Sequence, residues 1–247
     1  MKLRTILLGL CAFLLALVVV LPASWVAKLL PAQVQCAGWR GSIWNGQCSG
    51  LRLALSGTTP VKLETLRWKV HPQALLRLAL NADFQIIDAE GSAAGVLELG
   101  TGGRMTLQRV SLQAPFDRRF ANMLPAGWTG RVEARDLALR LNDRQIEGIA
   151  GELQLLNLDD GRGGQLGSYR LVFAPQPAAP FSGALQDTGG PLAVAASLTI
   201  AADRAWVLEG TVATRAGAGE TLRRSLDLLG PPDAGGRRRL SAAGSFN

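Results

Sequence analysis

Side chains that exchange protons near neutral pH are scarce in this 247-residue sequence. It contains one histidine, His71, and one tyrosine, Tyr169. The motifs G-x-S-x-G, H-E-x-x-H, Walker A and paired C-x-x-C, which mark hydrolase, zinc and phosphate sites, are all missing. His71 stands directly before Pro72, a setting typical of a structural histidine, and Asp159-Asp160-Gly161 is typical of a turn. We therefore predict a protein that is not an enzyme and holds no metal or cofactor.

Charge is also missing from one long stretch, the 22 residues from Ile6 to Ala27, which follows Lys2 and Arg4. A helix rising about 1.5 Å per residue crosses the ~30 Å hydrocarbon core of a bilayer over this length. The basic pair favours a cytoplasmic N-terminus. We predict a cytoplasmic segment 1–5, a transmembrane helix 6–27 and a β-rich domain 28–247 on the far side of the membrane.

A cleaved signal peptide is the alternative for the same stretch, because its densest apolar part resembles an h-region. Cleavage requires small residues at positions −3 and −1. The sites that end at Ala23, Ala27 and Ala32 carry Leu, Trp and Leu at −3. We therefore favour the uncleaved anchor.

The three cysteines fall into two groups. Cys11 lies within the predicted anchor, where it packs as a small apolar residue. Cys36 and Cys48 both follow the anchor, and a glycine-rich segment separates them. In an oxidising compartment the pair is expected to form a disulfide. Two free thiols binding a metal are the alternative, but the further ligands of a zinc site are missing.

The basic composition, with a net charge of +7, raises the question of nucleic acid. Arginine dominates, however, and alternates with apolar residues as on the solvated face of a sheet, at Arg52, Arg131, Arg140 and Arg170. A domain across the membrane meets no nucleic acid, so we predict none as a partner. Attraction to anionic lipid head groups or to an acidic partner remains open.

Alternating apolar residues, with few aromatics and many glycines, indicate numerous short strands. The longest run extends from Leu78 to Ile86, and another from Val194 to Ile200. The alternation changes phase between Ala134 and Leu137 and between Leu63 and Leu66, which predicts bulges or twists. Short turns between the runs favour an antiparallel meander.

Helical periodicity is limited to short segments. It is present from Phe116 to Leu124 and from Leu222 to Leu229, where Gly230 and two prolines follow, and Pro72 to Arg77 fit one further turn. A last strand is expected after Asp233. The fold class is therefore mainly β: one transmembrane helix, then an antiparallel sheet domain with one to three short helices.

Two elements carry a resemblance to a known family. One is G-x-I-W-x-G, with Gly41, Trp44 and Gly46; the other is W-x-x-x-P-x-x-L-L, with Trp68 and Pro72. Together with the anchor and the ending G-P-P-D at 230–233, they resemble protein N of the bacterial type II (general) secretion pathway. The order of the elements matches over nearly the whole chain.

This resemblance implies a subunit of the inner membrane with its bulk in the periplasm, acting through other secretion components. The inner-membrane platform and the outer-membrane secretin are the candidate partners. It also implies a curved sheet, open or half-barrel, like that of periplasmic proteins of the AsmA type. That likeness supplies the alternative function, a module that binds or transfers membrane lipid along an apolar groove. The candidate groove residues are Leu80, Phe84, Leu198 and Leu208.

We predict that Trp44 and Trp68 are buried structural residues where the first long strands meet the sheet. Anchoring at the membrane interface is the alternative for these indoles.

Overall fold

A computed structural model describes residues 17, 20–28, 33–54, 61–116, 127–143, 145–162 and 164–246. The chain divides into two compact units between Ala89 and Glu90. Both units are built almost entirely of antiparallel strands, so the predicted mainly β class is confirmed. Curvature of the domain as a whole stays a prediction.

The first unit contains a 3-10 helix, Ala23–Lys28, and a meander of four strands, in which each strand pairs with the next in the sequence. The strands are β1 Val34–Gly41, β2 Asn45–Leu53, β3 Val61–Val70 and β4 Leu80–Ile87. A second 3-10 helix, Pro72–Arg77, joins β3 to β4. This helix is the extra turn predicted for these residues.

The second unit is a longer meander of nine strands. They are β5 Ser92–Leu99, β6 Arg104–Phe116, β7 Thr129–Asn142, β8 Gln145–Asp159, β9 Gln165–Phe173, β10 Phe181–Gly189, β11 Leu192–Ile200, β12 Ala205–Thr214 and β13 Arg238–Ser245. Each pairs antiparallel with the next. Among the described strands, β13 pairs with β12 alone, so this sheet ends at an open edge.

The predicted change of phase in β7 is confirmed. The register with β8 shifts between Arg135 and Ala138, and Asp136 has a φ of 48°. This bulge allows the side chains of Ala134 and Leu137 to point to the same apolar face of the sheet. In β3, by contrast, the register with β2 runs without a shift. The predicted bulge is therefore absent there, and Leu63 and Leu66 face opposite sides of the sheet.

The core of the second unit lies on one face of its sheet, where alternate apolar residues meet across neighbouring strands. Its most buried part is a cluster of Ile146, Phe173, Phe181 and Ile200. A short helix, α1 Glu220–Asp227, packs Leu226 against Leu192, Val194 and Val212 at another part of the face. The helix predicted from the Leu222 to Leu229 spacing and the last strand are thus both present.

Most of the predicted anchor, Ile6–Ala27, lies outside the described residues. Within the part of the chain that the structure describes, no helix is both long and apolar enough to cross a bilayer. The helix predicted between Phe116 and Leu124 also lies outside that part.

Candidate functional site

The first motif element, G-x-I-W-x-G, forms the turn between β1 and β2. Gly41 and Gly46 are paired at its base. The Ser42 N–H donates to the Asn45 carbonyl at 3.0 Å, and the Asn45 N–H donates to Ser42 Oγ at 3.2 Å. Gly41 has a φ of +84°, a conformation that other L-residues rarely adopt. The turn therefore requires glycine at this position.

The second motif element packs directly on this turn. The Trp68 indole covers Gly46, where an added Cβ would overlap the ring and lie 2.7 Å from the Ser42 carbonyl oxygen. Trp68 Nε1–H donates to the Ile43 carbonyl at 3.0 Å. The Trp39 ring meets it edge to face, with centroids 5.9 Å apart. Two sequence motifs more than twenty residues apart thus form one packed structure.

A disulfide joins Cys36 to Cys48 across the same hairpin, as predicted, with 5.9 Å between the two Cα atoms. Cys48 is buried and stands opposite Trp39 in the register. The bond therefore links β1 covalently to β2.

The segment between β3 and β4 is fixed by His71. Its backbone N–H donates to the Asn81 carbonyl at 2.8 Å, and its Nε2 lies 2.8 Å from Asp83 Oδ2. Pro72 then begins the second 3-10 helix, where its fixed φ fits and no N–H donor is needed. The one histidine of the chain therefore has the structural role expected from its sequence context.

Beyond Pro72 the same segment exposes leucines. Leu76 is 89% exposed, Leu78 76% and Leu75 43%. Leu78 is held in the left-handed region at φ 54° by its N–H bond to the Leu75 carbonyl at 3.0 Å. Left-handed leucine is uncommon in folded proteins. Leu75 and Leu76 are the two leucines that end the second motif element. Leu78 was predicted to begin a strand with one buried face, and that prediction is wrong, because the strand begins at Leu80 and Leu78 lies in the loop before it.

The chain enters the first unit at the same place. The Ile43 N–H donates to the Leu21 carbonyl at 3.0 Å, and Pro22 forms an isolated bridge with Ser42. Val70 at the end of β3 donates to the Trp44 carbonyl at 2.7 Å. We call this end of the sheet the motif end; it comprises residues 21–28, 42–44 and 71–79.

Trp44 and Trp68, predicted to be buried, are both only partly buried. Of the four candidate groove residues, Leu80 and Phe84 lie on β4 of the first unit, with Leu80 37% exposed and Phe84 opposite Trp68. Leu198 and Leu208 are direct cross-strand partners in the second unit.

The apolar face around Leu198 and Leu208 continues across the second unit. Leu185, Leu171 and Leu153 stand in successive register on β10, β9 and β8. All five side chains are only partly buried. Among the described elements, α1 is the helix that packs on this face, at the Val194 and Val212 end.

Polar groups on this face are paired. The Tyr169 hydroxyl donates to the Leu166 carbonyl at 2.6 Å. Asp187 accepts from the Val194 N–H at 2.8 Å and pairs with Arg215 at 2.5 Å. Burial, and then the Asp187 charge, raise the pKa of Tyr169 to about 12. The phenol is therefore neutral at physiological pH and suited to an apolar surface.

The opposite face carries charged side chains. Arg170 donates to Glu152 at 2.6 Å and Gln154 donates to it at 2.5 Å; these hydrogen bonds, with that from Arg170 the larger cause, lower the Glu152 pKa to about 2. A shallow cavity of about 390 Å³ lies nearby, lined in part by Arg109, Arg140 and Asp136. Arg109 and Arg140 could hold an acidic side chain there, and the three groups do not form a nucleophile–base pair.

No three His, Cys, Asp or Glu side chains among the described residues come together in a way that could hold a metal ion. Burial and the nearby Asp187 charge account for the raised pKa of Tyr169, and the hydrogen bonds from Arg170 and Gln154 account for the lowered pKa of Glu152.

Comparisons with known proteins identify the family. The model of the family described as "Type II secretion system (T2SS), protein N" matches residues 32–241. A protein from Aeromonas hydrophila named "Type II secretion system protein N" is 25% identical, over 96% of each chain. No solved structure matches the chain. The matched range contains both motif elements.

Proposed function

The chain belongs to the type II secretion system protein N family, and we propose that it is a non-enzymatic inner-membrane subunit of that machinery. In this proposal Ile6–Ala27 anchors the protein, and the two units act in the periplasm through contacts with other secretion components. Family membership is the observation that carries the proposal. The charge-free stretch from Ile6 to Ala27, whose last residues lie in the first 3-10 helix, supports the anchor.

An open sheet edge supports contact with proteins. Strand β13 pairs with β12 alone among the described strands, and most of its residues are exposed. Such an edge presents backbone donors and acceptors to which a partner strand can add. Arg239 is exposed on this strand, with Glu209 of β12 at 3.4 Å from its guanidinium.

Photo-crosslinking in the native envelope tests this role. A photoreactive residue at Ser241, exposed on β13, is expected to capture secretion components. Ser182, exposed on the central strand β10, is the matched control position. Capture of the same proteins at both positions, or of none at Ser241, would contradict an edge contact. Intact mass of membrane-extracted protein tests the anchor, since cleavage would remove the N-terminal residues.

A second candidate function is lipid binding by the second unit. The specific observation is the row of partly exposed leucines from Leu153 to Leu208, which α1 covers only at one end. Apolar surface of this extent on a monomer ordinarily binds something. Native mass spectrometry and lipid extraction of the purified full chain distinguish the secretion subunit from the lipid-binding module. Stoichiometric lipid without secretion partners would favour lipid binding.

A further inference from the structure

Backbone hydrogen bonds close the loop at the motif end, although its leucines are exposed. Two backbone bonds close it, from Leu78 N–H to the Leu75 carbonyl at 3.0 Å and from Ala79 N–H to the Ala74 carbonyl at 3.1 Å. His71, bonded to Asp83, fixes the start of the loop. Leu75, Leu76 and Leu78 are thus exposed together in one short loop, and a cluster of exposed apolar side chains is typical of a contact site for a ligand or surface.

Basic residues lie at the same end of the sheet as these exposed leucines. Arg77 lies between the exposed leucines, Lys69 is exposed at the end of β3, and Arg40 is exposed at the end of β1. The acidic side chain nearest to the loop in the strand register, Asp83, is held by His71. Exposed apolar side chains with cations at the same end of the sheet match a bilayer interface with anionic head groups, where leucine enters the acyl region and cations meet phosphate.

The path of the chain before β1 also places the motif end near the membrane. Leu21 and Pro22, which belong to the last part of the predicted anchor, bond directly to the turn at 42–43, so no linker separates the anchor from the sheet. Trp25, in the first 3-10 helix, is 52% exposed. Tryptophan is enriched at the head-group level of membranes. An anchor that ends against the motif end brings the exposed leucines close to the bilayer from which the chain emerges.

We propose that the motif end rests on the outer leaflet of the inner membrane, with Leu75, Leu76 and Leu78 inserted at the interface and Arg77 and Lys69 against lipid phosphate. The inference depends on the anchor in the proposed function. It adds an orientation: the motif end faces the membrane, and the far ends of β2 and β4 face away.

A single nitroxide on the full-length protein in nanodiscs tests the orientation. The background carries Cys11→Ala, and the Cys36–Cys48 disulfide remains intact. Leu76→Cys carries the probe at the motif end, and Ala54→Cys, exposed beyond β2 at the opposite end, is the matched control. The nanodiscs contain phosphatidylcholine with phosphatidylglycerol, and collisions with oxygen and with a nickel chelate measure depth.

The probe at position 76 is expected to collide with the nickel chelate roughly tenfold less often than the probe at position 54, because the polar chelate is excluded from the acyl region. Equal nickel accessibility at both positions, with the protein retained in the nanodisc, would overturn the orientation and leave the secretion role intact. Protection of position 76 in native envelopes but not in nanodiscs would identify a protein as the occupant and also overturn it. Failure of the protein to enter nanodiscs would refute the anchor itself.

Discussion

Replacing Trp68 with alanine removes the side chain that joins the two motif elements. The hydrogen bond to the Ile43 carbonyl contributes about 1 kcal/mol. The edge-to-face contact with Trp39 adds about 1 kcal/mol, and burial of part of the indole about 2 kcal/mol. We therefore expect Trp68→Ala to destabilise the first unit by about 4 kcal/mol. Trp68→Phe keeps most of the ring contact and is expected to cost about 1–1.5 kcal/mol.

The loss of stability in the first unit can be measured locally by hydrogen exchange. The full-length protein is exchanged in detergent micelles, and its peptides are analysed by mass spectrometry. Since each 1.4 kcal/mol is a factor of ten, exchange in β2 is expected to accelerate about a thousandfold for Trp68→Ala and about tenfold for Trp68→Phe. Local exchange is preferred to a melting curve because the chain has two compact units.

Leu76→Ala serves as the control in the same unit. Its side chain is 89% exposed, so its removal is expected to change β2 exchange by less than threefold, equivalent to about 0.5 kcal/mol. If Trp68→Ala changed β2 exchange no more than Leu76→Ala does, the packing argument for the motif turn would be refuted.

Three further outcomes follow from the structure. Gly46→Ala, whose Cβ would overlap an indole, is expected to cost about 1–3 kcal/mol in the same exchange assay, whereas Gly38→Ala on β1, whose Cβ would meet only Ser49 at 3.9 Å, stays near neutral. Replacing Cys36 and Cys48 by serine is expected to cost about 2–3 kcal/mol in urea unfolding, since the bond closes a loop of sequence separation 12; no change would show that it adds nothing to stability. Tyr169, the one tyrosine, is expected to form phenolate near pH 12 in the folded protein and near pH 10 in urea. The stability that it contributes is therefore complete below pH 10 and is lost as the pH rises to 12. Ultraviolet absorbance measures this titration, and a midpoint near pH 10 in the folded protein would contradict the prediction.

The local sequence pattern was sufficient to predict the strands, the short helix α1 and the disulfide. Alternation at Val194 to Ile200 indicates a strand because side chains on successive residues point to opposite faces. The phase change after Ala134 located the β7 bulge for the same reason. Leu222 and Leu226 repeat at helical spacing before a glycine and two prolines, and that spacing gave α1. Cys36 and Cys48 follow the predicted anchor within one short segment, which made their pairing predictable.

Tertiary structure alone decided which of these residues meet. Trp68 reaches Gly46 and Ile43 because the register of β2 with β3 places them opposite, and register depends on the whole strand pair rather than on either sequence. The exposure of Leu76 likewise depends on a loop that backbone hydrogen bonds close. Because every residue has these backbone atoms, the sequence does not indicate such bonds. Leucine in an apolar run has the same local pattern whether a core or a solvated surface surrounds it, and only the assembled neighbours determine which.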